Sequence, residues 1–167
     1  IGIGTLPSSK FKKVQHILPM LSLSNSFKLD DLDDFFNKAD NFLKDSEVKH
    51  SFIVDCKIDG VSLSLTYENK KLIKALTRGD GNTREDITDN RLGIEDIPRT
   101  LKFCKSEKIE IRGEVFISKK DFRSLNNFLD EKNRFSNPRN AASGSLRQID
   151  SKVSKDRPLQ FIPHSYG

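Results

Sequence analysis

The stretch SFIVDCKIDGVSLSLTY, residues 51–67, decides how this chain folds. From Val61 to Tyr67, apolar residues alternate with Ser and Thr, which is the period-2 pattern of a half-buried strand. The residues from Ser51 to Lys57 are also rich in β-formers, and Gly60 permits a tight reversal of the chain. The sequence therefore predicts a hairpin of two strands joined at this glycine.

The side chains just before the predicted reversal allow two interpretations. If the first strand continues through Asp59, then Lys57 and Asp59 lie on one face and Cys56 lies on the other, in the core. An amine beside a carboxylate on one face of a hairpin suits covalent chemistry through the lysine. The plainer alternative is a surface ion pair beside a turn, and the K-x-D-G spacing by itself favours that alternative.

Composition limits the class of protein. The chain has 167 residues, 35% of them hydrophobic, and its twelve Phe can supply a core. We expect no membrane contact and no secretion, because there is no apolar leader and no apolar run near the ~20 residues that span a bilayer. Two cysteines fit neither a zinc site nor a disulfide framework, which predicts a reduced, cytoplasmic protein. A net charge of +5 is compatible with a polyanionic partner such as nucleic acid.

The remaining sequence mixes predicted helices and strands. Residues 1–13 are polar, contain Gly and Ser, and are expected to form a linker or strap. Periodicity predicts helices at 29–43 and 119–129, and further strands at 71–77, 108–118 and 158–162. A short helical turn is expected at 84–90, and a tightly turning basic segment at 133–148. Because no βαβ regularity is visible, the predicted fold class is α+β.

Several polar residues have the chemistry that phosphoryl transfer requires. A lysine such as Lys57 attacks phosphorus only as the neutral amine, so its pKa must be lowered by burial or by nearby cations. Arg78 and Arg112 are candidate cations. Asp59 and Glu114 are candidate metal ligands or orienting groups. Glu114 lies in an apolar strand, so its carboxylate must be paired or face a cavity.

A nucleotide would need further groups. Leu23, Ile58 and His164 are candidates for an apolar slot that holds the base. Arg139 and Arg147 lie on a small-residue segment that suits close approach to a phosphate backbone. For each arginine alone, a solvated surface charge is the simpler interpretation. Neither a P-loop nor a dinucleotide-binding glycine motif is present in the sequence.

Five motif blocks, in order, carry a resemblance to a known family. They are PMLSLSN (19–25), KIDG (57–60), TRGDG with EDIT (77–81 and 85–88), IRGEVF (111–116) and NPRNAASGSLRQ (137–148). Any one block is a weak or moderate signal, but the last is long and distinctive. Through these blocks the chain, from Pro19 to Gly167, resembles the adenylation domain of bacterial NAD+-dependent DNA ligases.

The resemblance implies a nucleotidyltransferase fold of the DNA ligase and mRNA capping enzyme type, with mixed and antiparallel sheets and flanking helices. It implies NAD+ and Mg2+ as cofactors and nicked double-stranded DNA as the partner of a monomer. In the implied reaction, Lys57 attacks the α-phosphorus of NAD+ and releases nicotinamide mononucleotide. AMP then passes from the lysine to the 5′-phosphate of a nick, and the 3′-hydroxyl seals the strand.

The resemblance also assigns roles to single residues. Lys57 is the nucleophile, and Asp59 orients it and handles its proton or a metal. Glu114 contacts the ribose or a metal, and Arg78 contacts the sugar and phosphate. The other positions assigned to the adenosine nucleotide are Ser22, Leu23, Asp55, Ile58 and His164. The positions assigned to the nick phosphates and the sealing steps are Asp80, Arg139 and Arg147.

Two positions depart from the family pattern. Asp55 stands where a Glu usually reads the adenine amino group, so this contact is expected to be weaker or mediated by water. His164 stands where a Tyr usually stacks on adenine. We expect His164 to stack there, with Tyr166 as the alternative, and an ordinary strand-end histidine is the plainer interpretation.

The ends of the sequence predict a fragment of a longer protein. The chain begins at Ile1 rather than Met and ends at Gly167 directly after a strand-like run. The family's nicotinamide-binding subdomain, its last two nucleotidyltransferase motifs and its OB, zinc-finger, helix-hairpin-helix and BRCT modules are not in the sequence, and Zn2+ is implied only for the zinc finger. We therefore expect this chain alone to bind adenosine nucleotides weakly and not to form lysyl-AMP from NAD+.

Two alternatives to this enzyme stay open. One is an ATP-dependent ligase or a capping-type nucleotidyltransferase, which shares the K-x-D-G motif but not the first and last blocks. The other is a non-catalytic module that only binds nucleic acid. That alternative explains the positive charge but not a carboxylate within an apolar strand.

Overall fold

The computed structural model describes residues 13–15, 24–44, 51–78, 83–89, 94–147 and 156–167. It divides into two compact units, one formed by Leu21–Lys57 and the other by Ile1–Met20 together with Ile58–Gly167. Over the described residues the elements are β1 (Lys13–Gln15), α1 (Leu29–Leu43), β2 (Val61–Glu68), β3 (Lys71–Thr77), β4 (Thr83–Glu85), β5 (Lys108–Phe116), α2 (Lys119–Phe128), a short 3-10 helix (Glu131–Asn133), α3 (Pro138–Leu146) and β6 (Gln160–Tyr166).

An antiparallel sheet is the centre of the larger unit. Its described strands have the order β3-β2-β5-β6. The alternation that predicts β2 is realised, because Leu63, Leu65 and Tyr67 are buried in the core, while Ser62 lies on the other face, opposite Glu114 of β5. The α+β class is confirmed, and the strands predicted at 71–77 and 108–118 are confirmed to within two residues. Both sheets of the described part are antiparallel, so the mixed sheet is not seen there.

The predicted hairpin around Gly60 is wrong. Residues 51–59 are described and contain no strand, and the antiparallel partners of β2 are β3 and β5. Both edges of β2 are therefore hydrogen-bonded to other strands, which leaves no edge for residues 51–57. The run Phe52-Ile53-Val54 is exposed, and so is Cys56, which the sequence predicts to be in the core.

Helix α3 packs on the apolar face of the sheet, and the prediction of a turning segment at 133–148 is wrong. The side chain of Asn137 caps the helix by accepting a hydrogen bond from the Asn140 N–H at 2.8 Å. Pro138 follows at the first helical position, which favours a helix start. The small residues that resemble a turn in the sequence instead allow close packing, and the fully buried ones are Ala141, Ala142 and Ser145.

The predicted helical turn at 84–90 is also wrong at its beginning. Thr83–Glu85 is the strand β4, which pairs with β1 in a second, antiparallel sheet. Lys13 is the first residue of β1, whereas the rest of the predicted strap, residues 1–12, lies outside the described part. Such short pairings between distant segments have almost no local sequence signal.

The smaller unit contains the predicted helix α1, whose observed bounds are the predicted ones. Asp31, in the first turn, caps the start of the helix. Its carboxylate accepts hydrogen bonds from the N–H groups of Phe27 and Lys28, at 2.9 and 3.1 Å. Phe35, Phe36 and Phe52 form an aromatic cluster, with the rings of Phe36 and Phe52 centred 4.6 Å apart. Among the helices of the described residues, none is long and apolar enough to cross a membrane.

Candidate active site

A hydrogen-bonded Ser–Glu pair marks the polar face of the central sheet. Ser62 on β2 and Glu114 on β5 are directly opposite in the ladder, so their side chains share a face. The Ser62 hydroxyl donates to Oε1 of Glu114 at 2.9 Å. The carboxylate is half-buried. The requirement that it be paired is met by this contact across the ladder.

Arg78 joins this pair through the backbone. It follows directly after β3 and is half-buried. Its N–H donates to the carbonyl of Ser62 at 3.1 Å. Ser62 thus contacts both Arg78 and Glu114, which come from two separate motif blocks. The structure thus brings two of the predicted nucleotide-binding residues together at one end of β2.

Arg112, the second candidate cation, is already engaged. On the same face as Glu114 it is opposite Ser64 in the ladder, and its Nε lies 2.7 Å from Oε1 of Glu110. Both side chains are about one-fifth exposed. A guanidinium held by a neighbouring carboxylate contributes less positive potential to its surroundings than a free one.

Gly60 is needed for close packing rather than for a hairpin turn. A Cβ at this position would lie 2.2 Å from the backbone oxygen of Val115 on β5. Gly113 is similarly restricted, since its Cβ would lie 2.3 Å from the Ile162 carbonyl oxygen on β6. These two glycines allow the backbone on either side of Glu114 to approach neighbouring strands closely.

Asp59 and Arg139 form an ion pair between residues eighty positions apart. Nη1 of Arg139 lies 2.7 Å from Oδ1 of Asp59, and the two side chains are 59% and 74% exposed. An exposed pair contributes about 0–1 kcal/mol to stability, so its guanidinium is available for exchange to another anion. The structure thus joins a predicted catalytic carboxylate to a predicted DNA-contacting arginine.

Arg147 has a different environment from Arg139. Its Nε lies 2.8 Å from Oε2 of Glu85, which is 0% exposed, while 22% of the arginine side chain is exposed. The Glu85 N–H donates to the Thr77 hydroxyl at 3.2 Å. This ion pair links the end of β4 to the C-terminal cap of α3. Glu85 is not among the predicted site residues, although its place in the EDIT block is a signal.

The predicted nucleophile lies at the end of the smaller unit. Lys57 and Asp55 are exposed, in a segment without regular secondary structure. The Asp55 carboxylate accepts a hydrogen bond from the N–H of Cys56 at 2.8 Å. Ile58, the first residue of the following segment of the larger unit, is half-buried.

His164 occupies an irregular position in β6. Opposite it the register shifts, since Arg112 pairs with Ser165 and Gly113 pairs with Pro163. His164 is therefore the extra residue of a β-bulge, a feature that changes the direction of a side chain. The ring is exposed, with Nδ1 3.0 Å from the Ser165 hydroxyl.

Tyr166, the alternative stacking residue, is on the other face of the sheet. It is opposite Ile111 in the ladder, and Ile111 is three residues before Glu114 on β5. Side chains three positions apart on a strand point to opposite faces. The register therefore places Tyr166 on the face opposite to Glu114.

Three predicted site residues, Ser22, Leu23 and Asp80, lie outside the described residues. Within the described residues, there is no cluster of three or more His, Cys, Asp or Glu side chains that could hold a metal ion by themselves.

The family model for the NAD-dependent DNA ligase adenylation domain matches residues 8–167, so the chain belongs to this family. The predicted family is thereby confirmed.

Named relatives agree with the family. The chain is 45% identical over 170 residues to a DNA ligase of Methylorubrum extorquens (strain PA1), 47% identical over 168 residues to one of Rhodopseudomonas palustris (strain ATCC BAA-98 / CGA009), and 48% identical over 170 residues to one of Pelagibacter ubique (strain HTCC1062). Each alignment covers 99% of this chain but only 21%, 23% and 24% of the relative, respectively. The chain thus spans less than a quarter of the length of these relatives.

Proposed function

We propose that this chain is the nucleotidyltransferase part of an NAD+-dependent DNA ligase. The amine of Lys57 attacks the α-phosphorus of NAD+, a P–N bond forms, and the bond to nicotinamide mononucleotide breaks. The 5′-phosphate of a nick then takes AMP from the lysine. In the last step the 3′-hydroxyl displaces AMP and forms the phosphodiester bond.

One observation carries this proposal. Arg78 and Glu114, from separate motif blocks of the family, meet at Ser62, two residues after the K-x-D-G motif. Nucleotidyl transfer requires a cation and a carboxylate as well as a nucleophile, because the cation offsets charge on the phosphate while the carboxylate orients a ribose or a metal.

The remaining roles are proposed from the family resemblance. Asp59 orients Lys57 and handles its proton. Asp55 reads the adenine amino group with a side chain one methylene shorter than the family's usual Glu. The residues proposed to line the adenosine site are Ser22, Leu23, Ile58 and His164.

Mg2+ fits the donors of this site. The cation prefers carboxylate oxygens and usually binds through one or two of them plus substrate phosphates. Glu114 and Asp59 would supply those oxygens. When bound, Mg2+ would offset negative charge on the phosphates of the nucleotide.

The nick phosphates are assigned to Asp80, Arg139 and Arg147. Arg139 has the exposure that a phosphate ligand needs, and its contact with Asp59 is one that a phosphate can replace. For Arg147, the contact with Glu85 leaves less of the side chain available. Its DNA role is therefore proposed to be indirect, through the position of α3.

The test is adenylate formation by the full-length protein that contains this chain. With adenine-labelled NAD+ and Mg2+, we expect label on Lys57, and Lys57→Ala should abolish it. Lys38→Ala, at an exposed lysine of α1, is the matched control and should keep full labelling. Labelling from ATP but not from NAD+ would support an ATP-dependent enzyme instead. Sealing that survives Lys57→Ala but not charge reversal at Arg139 and Arg147 would support a binding module.

A further inference from the structure

A basic surface lies at the end of the sheet away from the Ser62–Glu114 pair. It is formed by residues 68–71, at the turn between β2 and β3, and by residues 99–108, and is called here the hairpin-end surface. These two stretches contain six Lys and Arg but only two Glu, a net charge of +4 within a chain whose total is +5. The six cations are all exposed: Lys70, Lys71, Arg99, Lys102, Lys105 and Lys108.

Backbone hydrogen bonds hold the two stretches together. The N–H of Asn69 donates to the Glu107 carbonyl at 2.7 Å, and the N–H of Leu101 donates to the Lys70 carbonyl at 2.9 Å. Between them is an open depression of about 250 Å³, which is lined by Asn69, Lys70, Cys104, Lys105, Ser106 and Glu107. The lysines are therefore presented by one ordered surface and not by separate loops.

Few carboxylates offset this charge. Glu68 lies 3.0 Å from the Lys108 ammonium, so these two charges largely cancel. Glu107 is the other carboxylate within the two stretches, which are described throughout. The other five cations face solvent against this one carboxylate, which gives a local excess that attracts a polyanion.

The distance from the candidate active site suits duplex DNA. Ser62 and Glu68 are six residues apart on β2, which is about 20 Å at ~3.3 Å per residue. Along B-DNA the same length holds about six base pairs at ~3.4 Å each. A duplex held with its nick at the active site can therefore extend over the hairpin-end surface.

We propose that the hairpin-end surface binds the phosphodiester backbone of the duplex about half a helical turn from the nick. This inference rests on the proposed function, because it places the reacting phosphates near Glu114. The contact is electrostatic and independent of base sequence, since lysines on an exposed surface neutralise phosphates without reading base edges.

The turn between β2 and β3 allows a variant that removes a charge without destabilising the fold. Asn69 and Lys70 have φ values of 48° and 67°, in the left-handed region that favours Gly at the second position of such a turn. Lys70→Gly therefore removes a charge and relieves backbone strain at the same time. We expect its melting temperature to equal or exceed that of the parent protein, so weaker DNA binding would not arise from misfolding.

The experiment measures salt-dependent DNA binding by the full-length protein. The probe is a nicked duplex with a 5′-phosphate and a 2′,3′-dideoxy end, which binds but cannot be sealed. Lys70→Gly/Lys102→Gln/Lys105→Gln is compared with a control of equal charge change on α1 and α2, Lys38→Gln/Lys120→Gln/Arg123→Gln, whose parent residues are exposed. The dissociation constant is followed over a series of KCl concentrations, and Lys57 labelling from NAD+ is measured in parallel.

The expected result is specific to the hairpin-end triple variant. The slope of the logarithm of its association constant against log[salt] should be less steep by roughly 2–3, because each lost phosphate contact removes ~0.9. Its affinity for DNA at low salt should fall at least about tenfold. Lys57 labelling should stay unchanged. A slope and affinity equal to those of the control would overturn the inference. Absence of label on Lys57 in the parent protein would overturn the proposed function instead. The salt slopes would still show whether the hairpin-end surface binds DNA.

Discussion

At the scale of single residues, Ser62 and Glu114 explain how a carboxylate is kept on a largely apolar strand. The hydroxyl donates to the carboxylate at 2.9 Å from the directly opposite position of the ladder. Hydrogen bonds to charged groups stabilise a half-buried carboxylate by about 1.5–3 kcal/mol. The pair therefore holds Glu114 in one orientation before any substrate binds.

Replacing Glu114 by Gln should show how much the negative charge of this side chain, rather than its size, contributes to the reaction. Glu114→Gln keeps the size of the side chain and a partner for Ser62, but it removes the negative charge. We expect lysyl-AMP formation to fall by about 10²-fold, the usual effect of removing one preorganised electrostatic group, with little change in melting temperature. Single-turnover labelling from NAD+ measures this. Ser62→Ala, which keeps the charge but loses the donor, should have a smaller effect, and an unchanged rate in Glu114→Gln would contradict the assignment.

The residues of the site could be predicted only in part. Glu114 is conspicuous in the sequence because a carboxylate in an apolar strand requires a partner. The partner itself, Ser62, could not be identified without the register of β2 against β5. The contact of Asp59 with Arg139 joins residues eighty positions apart, and it depends on where α3 begins. Such contacts follow from tertiary packing, which local patterns do not contain.

At the scale of elements, strands with clear alternation were predictable and those without it were not. β2 and β3 alternate or are bounded by turn residues, and their bounds were predicted to within a residue. β4 has three residues and pairs with an equally short strand about seventy positions earlier. α3 is rich in Ala, Ser and Gly, so its composition resembles a turn, and its capping by Asn137 was not recognised.

The ion pair between Glu85 and Arg147 connects two of these elements, β4 and α3. Breaking a buried pair costs about 3–5 kcal/mol, and we expect the lower end because 22% of the Arg147 side chain is exposed. Arg147→Met should therefore raise amide hydrogen exchange in both β4 and α3. The double variant Glu85→Leu/Arg147→Met removes both charges and should restore much of the protection.

DNA sealing distinguishes the structural role of Arg147 from direct DNA contact. If Arg147 acts by positioning α3, the double variant should recover sealing together with exchange protection. Exchange protection that recovers while sealing stays lost would show that the guanidinium touches DNA itself. Arg139→Met, at an exposed pair, is the comparison and should leave exchange protection within about 1 kcal/mol of the parent.

At the scale of the whole molecule, the chain covers only a small share of the length of its relatives. Its relatives are more than four times as long, since it covers 21–24% of the named ones. The described core of the larger unit is nonetheless continuous, running from Leu63 in β2 to Phe161 in β6. We therefore expect residues 1–167 to retain an ordered sheet on their own, although not the complete reaction.

The isolated chain should bind adenosine nucleotides weakly and form no lysyl-AMP from NAD+. The reason is that residues 1–167 do not include the nicotinamide-binding subdomain or the last two nucleotidyltransferase motifs that the family resemblance implies for the reaction. Saturation-transfer NMR with AMP measures binding, and incubation with adenine-labelled NAD+ and Mg2+ measures transfer. The full-length protein is the positive control, and label on Lys57 of the isolated chain would contradict this expectation.

The bulge in β6 has a consequence for self-association. Among the described strands, β6 is at the end of the order β3-β2-β5-β6, so its outer side offers backbone groups to any extended peptide nearby. Pro163 removes one N–H from that row, and the extra residue His164 interrupts its spacing. A second copy of the strand cannot align along such an edge without losing hydrogen bonds. We therefore expect the same irregularity that places an imidazole beside Ser165 to disfavour intermolecular strand pairing along this edge.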